Sequence, residues 1–377
     1  MVFFRDRTVN LLNLHYGIYS IALSGGGAFF AVYLIKAGVS VPWALASLAL
    51  ILAGRFVIRP LLAEVHGLGP ALFALCVVAS LGDTFYWSTY HAYFAALGNH
   101  ENRGAEIGAR EAIAALVGIV SPLATGWVLV TFGPRSAFGV TGAVLLLAAA
   151  PLLWTPDVIV RRHVPGAYRA AIPGMRLFLA DGWIGAGYHF VWQITLFLSL
   201  GESFIAYGGA LALAALVGAV AGLLLGRHID AGHGRSAVFY ALRVLAVTTV
   251  LRGAAPGHAV LAVTANALGA LVVCLYIPTL MTAVYNQAKR SVCTLRFHVA
   301  TEGAWDVGCG GGCLVAALLS ALGVSLSVAI LLSLLGAAAL FVLLRRYYGS
   351  HPAVTMVAVP DPLAQNAIIN LGESTEG

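Results

Sequence analysis

The chain has 377 residues, 60% of them hydrophobic and 10% charged, a formal net charge of +6 and a mean hydropathy of +0.91. Soluble domains carry about 25% charged residues, so this composition excludes a water-soluble globular protein and points to a chain whose apolar surface faces lipid. The Lys and Arg excess sits in short segments between apolar runs, where it orients membrane spans, and it implies no nucleic-acid partner.

Runs close to the roughly 20 residues that a span requires fall, in chain order, at 12–36, 40–60, 68–97, 108–132, 136–154, 174–200, 203–226, 236–252, 257–284, 297–321 and 323–344. They predict an all-α, polytopic membrane protein with about eleven transmembrane helices in two bundles. Arg5 and Arg7 precede the first run, which is long and lacks a small-residue cleavage site, so it reads as a span and not as a cleaved signal. The most polar interior stretch is 155–173, with Asp157, Arg161, Arg162, His163 and Arg169. It reads as a cytoplasmic linker between an N-terminal bundle, 1–154, and a C-terminal six-helix bundle, 174–348. Beyond it, 349–377 is polar, proline-containing and acidic at its end, the composition of a disordered cytoplasmic tail.

The two halves share a pattern. "YLIKAGVSVPWALASLALILAGRFVIR" leaves one span, turns at Gly38, crosses back and meets Arg55 and Arg59; "LFLSLGESFIAYGGALALAALVGAVAGLLLGRHID" does the same through Gly201 to Arg227. Arg103 in "YHAYFAALGNHENRG" then corresponds to Arg290 in "LMTAVYNQAKRSVCTLR". Parallel repeats of this kind are a transporter signature. Gly38 to Arg103 spans 65 residues and Gly201 to Arg290 spans 89, so the first half is 24 shorter, close to one span and a turn. The N-terminal half is therefore expected to lack its third helix; otherwise 61–98 forms two short or re-entrant pieces, or the first two helices are inverted or displaced. Placing the basic clusters inside predicts a multi-pass protein of the cell inner membrane with a cytoplasmic C-terminus.

Two motifs carry a family resemblance. "GRHIDAGHGR" presents Gly226, Asp230, Gly234 and Arg235 between the second and third helices of the second half, and "GIVSPLATG" places Gly118, Pro122 and Gly126 at every fourth residue, a face that permits close helix approach. Both resemble motifs of the major facilitator superfamily. In the first half the matching loop follows Arg55 and Arg59 but lacks the expected Asp, with Glu64 a poor substitute; "NRGAEIGAREA", with Arg103 and Arg110, resembles the link before the fifth helix. The resemblance implies a monomeric secondary transporter that carries a small-molecule solute across the lipid bilayer by alternating access, without a bound cofactor. In that reading Arg55, Arg59, Arg103, Arg110, Gly226, Asp230, Gly234 and Arg235 form gating loops.

Ionisable residues inside spans mark the cavity, because an acid at bilayer depth costs several kcal/mol unless it faces water or a partner. Asp83, Tyr86, Trp87, Tyr90 and His91 form one polar-aromatic set, and His298, Glu302 and Asp306 another. Acids beside aromatic faces suit an organic solute, cationic or proton-coupled. His189, Trp192 and Gln193, with Tyr188, are further candidates, as are Asn13, His15, Tyr16 and Tyr19 on the first helix and Tyr276, Tyr285 and Asn286 on a later one. Arg243, about two turns into an apolar run, could pair with an acid. The five cysteines include Cys309 and Cys313, four apart, but lack partners at metal-ligand spacing, so no metal site is expected. Two alternatives stand beside transport: a non-transporting remnant or membrane receptor, and a membrane-embedded enzyme. Against the enzyme, the chain contains no HExxH, GxSxG or phosphate-binding glycine loop.

Overall fold

In lipid every backbone N–H and C=O must be bonded within its own segment, so apolar runs of this length fold as helices. The structure, a computed structural model, describes residues 7–58, 81–83, 86, 87, 90, 103–155, 164–229 and 234–350. In chain order the helices are α1 (Arg7–Ala22), α2 (Ala28–Lys36), α3 (Val41–Ile58), α4 (Arg103–Thr131), α5 (Gly133–Ala149), α6 (Ala167–Gly185), α7 (Trp192–Ser199), α8 (Phe204–Ile229), α9 (Gly234–Ala254), α10 (Ala259–Arg290), α11 (Thr294–Ala321), α12 (Leu326–Leu331) and α13 (Ser333–Ser350). Among the described residues, six helical stretches are long and apolar enough to cross a membrane, and Val41–Leu52 and Leu116–Thr131 are shorter apolar helices. Residues 81–83, 86, 87 and 90 are helical, while the rest of 61–98, where the missing crossing is expected, lies outside the described residues.

One boundary differs from the apolar pattern. α6 starts at Ala167, not at residue 174, and so absorbs part of the segment expected to be linker. Pro173 lies inside this helix, where it leaves the Arg169 carbonyl without its intrahelical N–H donor, and Arg169 and Arg176 remain exposed.

Two crossings are broken by π-helical segments. Leu23–Gly27 separates α1 from α2, with non-helical Gly25 (φ −83°, ψ −113°), and Ala186–Val191 separates α6 from α7. These are the first helices of the two halves, so the same irregularity recurs at equivalent places. The turns that follow also match: Gly38 (φ +92°) and Gly201 (φ +64°) take left-handed conformations that glycine accepts freely, and Glu202 (φ +56°) takes one that a side chain disfavours.

Lipid supplies no hydrophobic drive between helices, so their association rests on close packing of small residues. The α6–α11 pair is the most extensive: a methyl on Gly182 would overlap the Trp305 carbonyl oxygen, and one on Gly308 the Leu179 carbonyl oxygen. Among the described residues, the two most extensive pairs between the halves are α3–α11 and α4–α8. In α3–α11, Gly310 packs on Leu52 and Ala49. In α4–α8, a Cβ on Gly126 would lie 2.8 Å from the Phe204 carbonyl oxygen, one on Gly208 would lie 2.6 Å from that of Pro122, and Gly118 faces Ala215.

Candidate functional site

α6, α10 and α11 converge on a carboxylate. Asp181 accepts hydrogen bonds from the Tyr276 hydroxyl of α10 and, at 2.9 Å, from the Trp305 indole N–H of α11. Glu302 is its electrostatic neighbour. Among the described residues no Lys, Arg or His nitrogen comes within 4.0 Å of Asp181. On α11, a turn of about 100° per residue puts His298, Glu302 and Asp306 on one side, and all three are buried. The His298 ring lies 5.8 Å from Tyr285.

A second polar group lies nearer the Ser199 end of α7. The Trp192 indole donates to Asn266 Oδ1 (3.0 Å), whose amide donates to the Ala210 carbonyl, and the Tyr188 hydroxyl bonds Thr248. Arg252, 5% exposed, donates to the Tyr188 carbonyl at 2.6 Å and lies over the Tyr188 and Trp192 rings at 3.8 and 4.9 Å. Tyr188 and Trp192 are thus engaged inside the bundle, whereas His189 is exposed and Gln193 half-buried. Arg243 is exposed beside Phe239 and makes no ion pair with a described residue.

In the first half the structure brings the two predicted aromatic sets together. Tyr19 stacks on Tyr86 (3.8 Å), Tyr86 on Tyr90 (5.5 Å) and Tyr16 on Tyr90 (5.5 Å), with Trp87 edge-on to Tyr86. His15 lies against Tyr86 and Tyr90 and donates from Nδ1 to the Ala148 carbonyl at 2.6 Å, which sets the tautomer if the ring is neutral. Asp83 is half-buried on the same helix. His91, Arg59 and Asp230 lie outside the described residues, as do the side chains of Arg55, Arg103, Arg110 and Arg235. Arg55, Arg103, Arg110, Gly226, Gly234 and Arg235 are helical in backbone, in or at the ends of α3, α4, α8 and α9.

The halves also meet across one end. Phe29 of α2 packs edge-on against Tyr207 (5.2 Å) and near Phe204 (6.1 Å); Phe197 of α7 stacks on Phe204 (5.4 Å); and the Tyr207 hydroxyl donates to the Ala28 carbonyl. Beyond this plug, Lys36 Nζ lies 3.7 Å from Glu202 Oε2. Both side chains are nearly half exposed, so the pair contributes at most about 1 kcal/mol. Lys36→Glu is expected to increase labelling of a cysteine placed beneath the plug at the buried Ile194 position, and Lys36→Glu with Glu202→Lys to restore protection. Equal labelling in all three proteins would deny the pair any role in closing this end.

No group of three or more His, Cys, Asp or Glu that could hold a metal ion occurs among the described residues. Cys309 and Cys313 are buried, packed with Ala186 against α3.

The motifs, the joined halves and the carboxylates inside spans all point one way, and comparison decides the family: the Major Facilitator Superfamily model matches residues 6–295. The chain belongs to this superfamily. It is a multi-pass membrane protein of a transporter family. Its fold is similar to that of FucP, described as a Major Facilitator Superfamily transporter in the outward conformation, with TM-score 0.53, 13% identity and coverage of 90% of this chain and 98% of that one. A second structure of the protein, described as the E. coli fucose:proton symporter, gives the same values. The human organic anion transporter MFSD10 aligns with TM-score 0.55 and 15% identity over 90% of this chain and 99% of that one. At these identities the likeness is one of fold. A comparison with curated protein sequences finds no match.

Proposed function

We propose that the chain is a secondary active transporter that moves a small organic solute by alternating access, coupled to protons through the Asp181 cluster. The observation that carries this reading is Asp181 itself. It is a carboxylate inside a membrane-spanning bundle, held by Tyr276 and Trp305, beside Glu302 and without a basic partner among the described residues. An acid at this depth without a basic partner is costly to keep ionised, which is the physical reason such a group is suited to carry a proton. A group that binds and releases one proton as its exposure changes can couple a proton to a solute.

Alternating access also needs an end that opens. The plug of Phe29, Phe197, Phe204 and Tyr207 is carried by α2, α7 and the start of α8. α2 and α7 each lie directly beyond a π-helical break, a place where a helix changes direction at low cost. In this reading the basic ends are cytoplasmic, the membrane is the cell inner membrane, the plugged end faces outward and the protein works as a monomer. The aromatic stack of Tyr16, Tyr19, Tyr86 and Tyr90 supplies the first half's wall of the path.

Purified protein in proteoliposomes tests the proposal. Saturable solute uptake driven by an imposed proton gradient is expected, and Glu302→Gln is expected to lose it. Turnover of a substrate without flux would place the chain among membrane-embedded enzymes. Ligand binding without either would leave a receptor or a remnant.

A further inference from the structure

The α6–α11 pair has two sides with opposite chemistry. At about 100° per residue, Asp181 of α6 and Glu302, Asp306 and Cys309 of α11 turn to the side just described. Ile172, Arg176 and Leu179 turn to the other side of α6, and Ala300, Ala304 and Val307 to the other side of α11. Between these last six residues runs a groove of about 500 Å³ with an almost wholly apolar wall. Leu314 and Leu318 continue its line along α11 and are 57% and 60% exposed, the character of a lipid-facing surface.

One residue does not fit an apolar wall. Arg176 is exposed at the groove, nine residues into α6, and it makes no hydrogen bond or ion pair with a described residue. A guanidinium so placed must reach toward the interface or meet an anion. The basic side chain of Arg169 is exposed one heptad nearer the helix start, and Tyr168 stands 55% exposed at the groove's rim. A positive end joined to an apolar channel matches one molecule that a bilayer always offers, a lipid with an anionic headgroup and a long chain.

We propose that this groove binds an anionic phospholipid, with an acyl chain along Ile172, Leu179, Ala304 and Val307 and the phosphate on the Arg176 guanidinium. The geometry commits to the lipid and not to free phosphate, because the groove wall offers the chain far more surface than the headgroup. The proposal is independent of the Asp181 cluster, which lies on the opposite side of both helices.

Thermal unfolding of the full chain in detergent, titrated with phosphatidylglycerol or phosphatidylcholine, tests it. Phosphatidylglycerol is expected to raise Tm saturably and phosphatidylcholine much less. Arg176→Gln should weaken the apparent affinity for phosphatidylglycerol about fivefold, and Arg176→Lys should retain most of it. Val307→Trp fills the groove from an exposed position that tolerates a large side chain, and it should abolish the response without lowering Tm in lipid-free detergent. Native mass spectrometry of the Arg176 variants gives a readout that does not depend on Tm. Equal stabilisation by both lipids, unchanged affinity in Arg176→Gln, or a response surviving Val307→Trp would each overturn the proposal. So would a concentration-dependent dimer lost in Val307→Trp with phosphatidylglycerol binding intact, which would assign the face to a second copy of the chain.

Discussion

Asp181→Asn is expected to abolish concentrative uptake while leaving the protein folded and able to exchange solute. The substitution keeps the size of the side chain; the Asn oxygen can still accept from the Trp305 indole, while its amide nitrogen donates to the Tyr276 hydroxyl oxygen, so both contacts survive with one of them reversed in direction. It removes the proton that Asp181 would carry. A proton crossing a potential of 100 mV supplies about 2.3 kcal/mol, which corresponds to roughly fortyfold accumulation for one proton per solute. With the carboxylate neutralised, that ratio is expected to fall to about one, whereas counterflow between preloaded solute inside and labelled solute outside should continue. Unchanged accumulation in Asp181→Asn would remove the coupling role from this residue. Loss of counterflow together with accumulation would make Asp181 a solute ligand and not a coupling group.

Tyr276→Phe and Trp305→Phe separate the acid from its setting. Each deletes one hydrogen bond to the carboxylate and leaves the negative charge in place. A buried charged group that loses a donor loses roughly 1.5–3 kcal/mol of stabilisation of its ionised form. The protonated form is then favoured, and the pH at which uptake is half-maximal is expected to move upward in both variants.

What could be read before the fold was known follows from the range of each interaction. Helix existence depends on local composition, and the runs 257–284 and 297–321 correspond to α10 and α11 with shifts of only a few residues at their ends. The pair Glu302 and Asp306 is visible for the same reason, since two acids one turn apart interrupt an apolar run on a single face. Asp181 gives no such local sign. Its own helix offers it no polar neighbour one turn away, with Leu177 before it and Gly185 after, and its partners stand 95 and 124 residues along the chain. An acid inside the run 174–200 is nonetheless the kind of residue that bilayer depth makes costly, and that signal alone would have singled it out. Arg252 is hidden in a different way. At the end of a run it resembles an interfacial anchor, and only the π-helical segment of the neighbouring crossing shows what its guanidinium binds.

Three closely spaced glycines of α11, Gly308, Gly310 and Gly311, are expected to respond differently to the same added methyl. Gly308 faces α6 so closely that a Cβ would overlap the Leu179 carbonyl oxygen and come within 3.0 Å of the Trp183 backbone nitrogen. Gly310 faces α3, where a Cβ would stand 3.4 Å from the Leu52 Cβ, an ordinary contact. Gly311 has no atom within 4 Å. Because backbone cannot rotate away as a side chain can, Gly308→Ala forces α6 and α11 apart and costs on the order of 3 kcal/mol. Gly311→Ala adds only the helix propensity that alanine holds over glycine, up to about 1 kcal/mol in the stabilising direction, and Gly310→Ala falls between. Tm measured on the three purified variants, with monodispersity on size exclusion as a second readout, should order them Gly311→Ala, Gly310→Ala, Gly308→Ala from most to least stable. The separation reaches function as well. Trp305 approaches Asp181 only because glycines at 182 and 308 let the helices touch, so Gly308→Ala should weaken coupling even in the fraction that remains folded. If Gly308→Ala and Gly311→Ala had equal Tm, the close approach of α6 and α11 could not be what holds the carboxylate and its indole partner together.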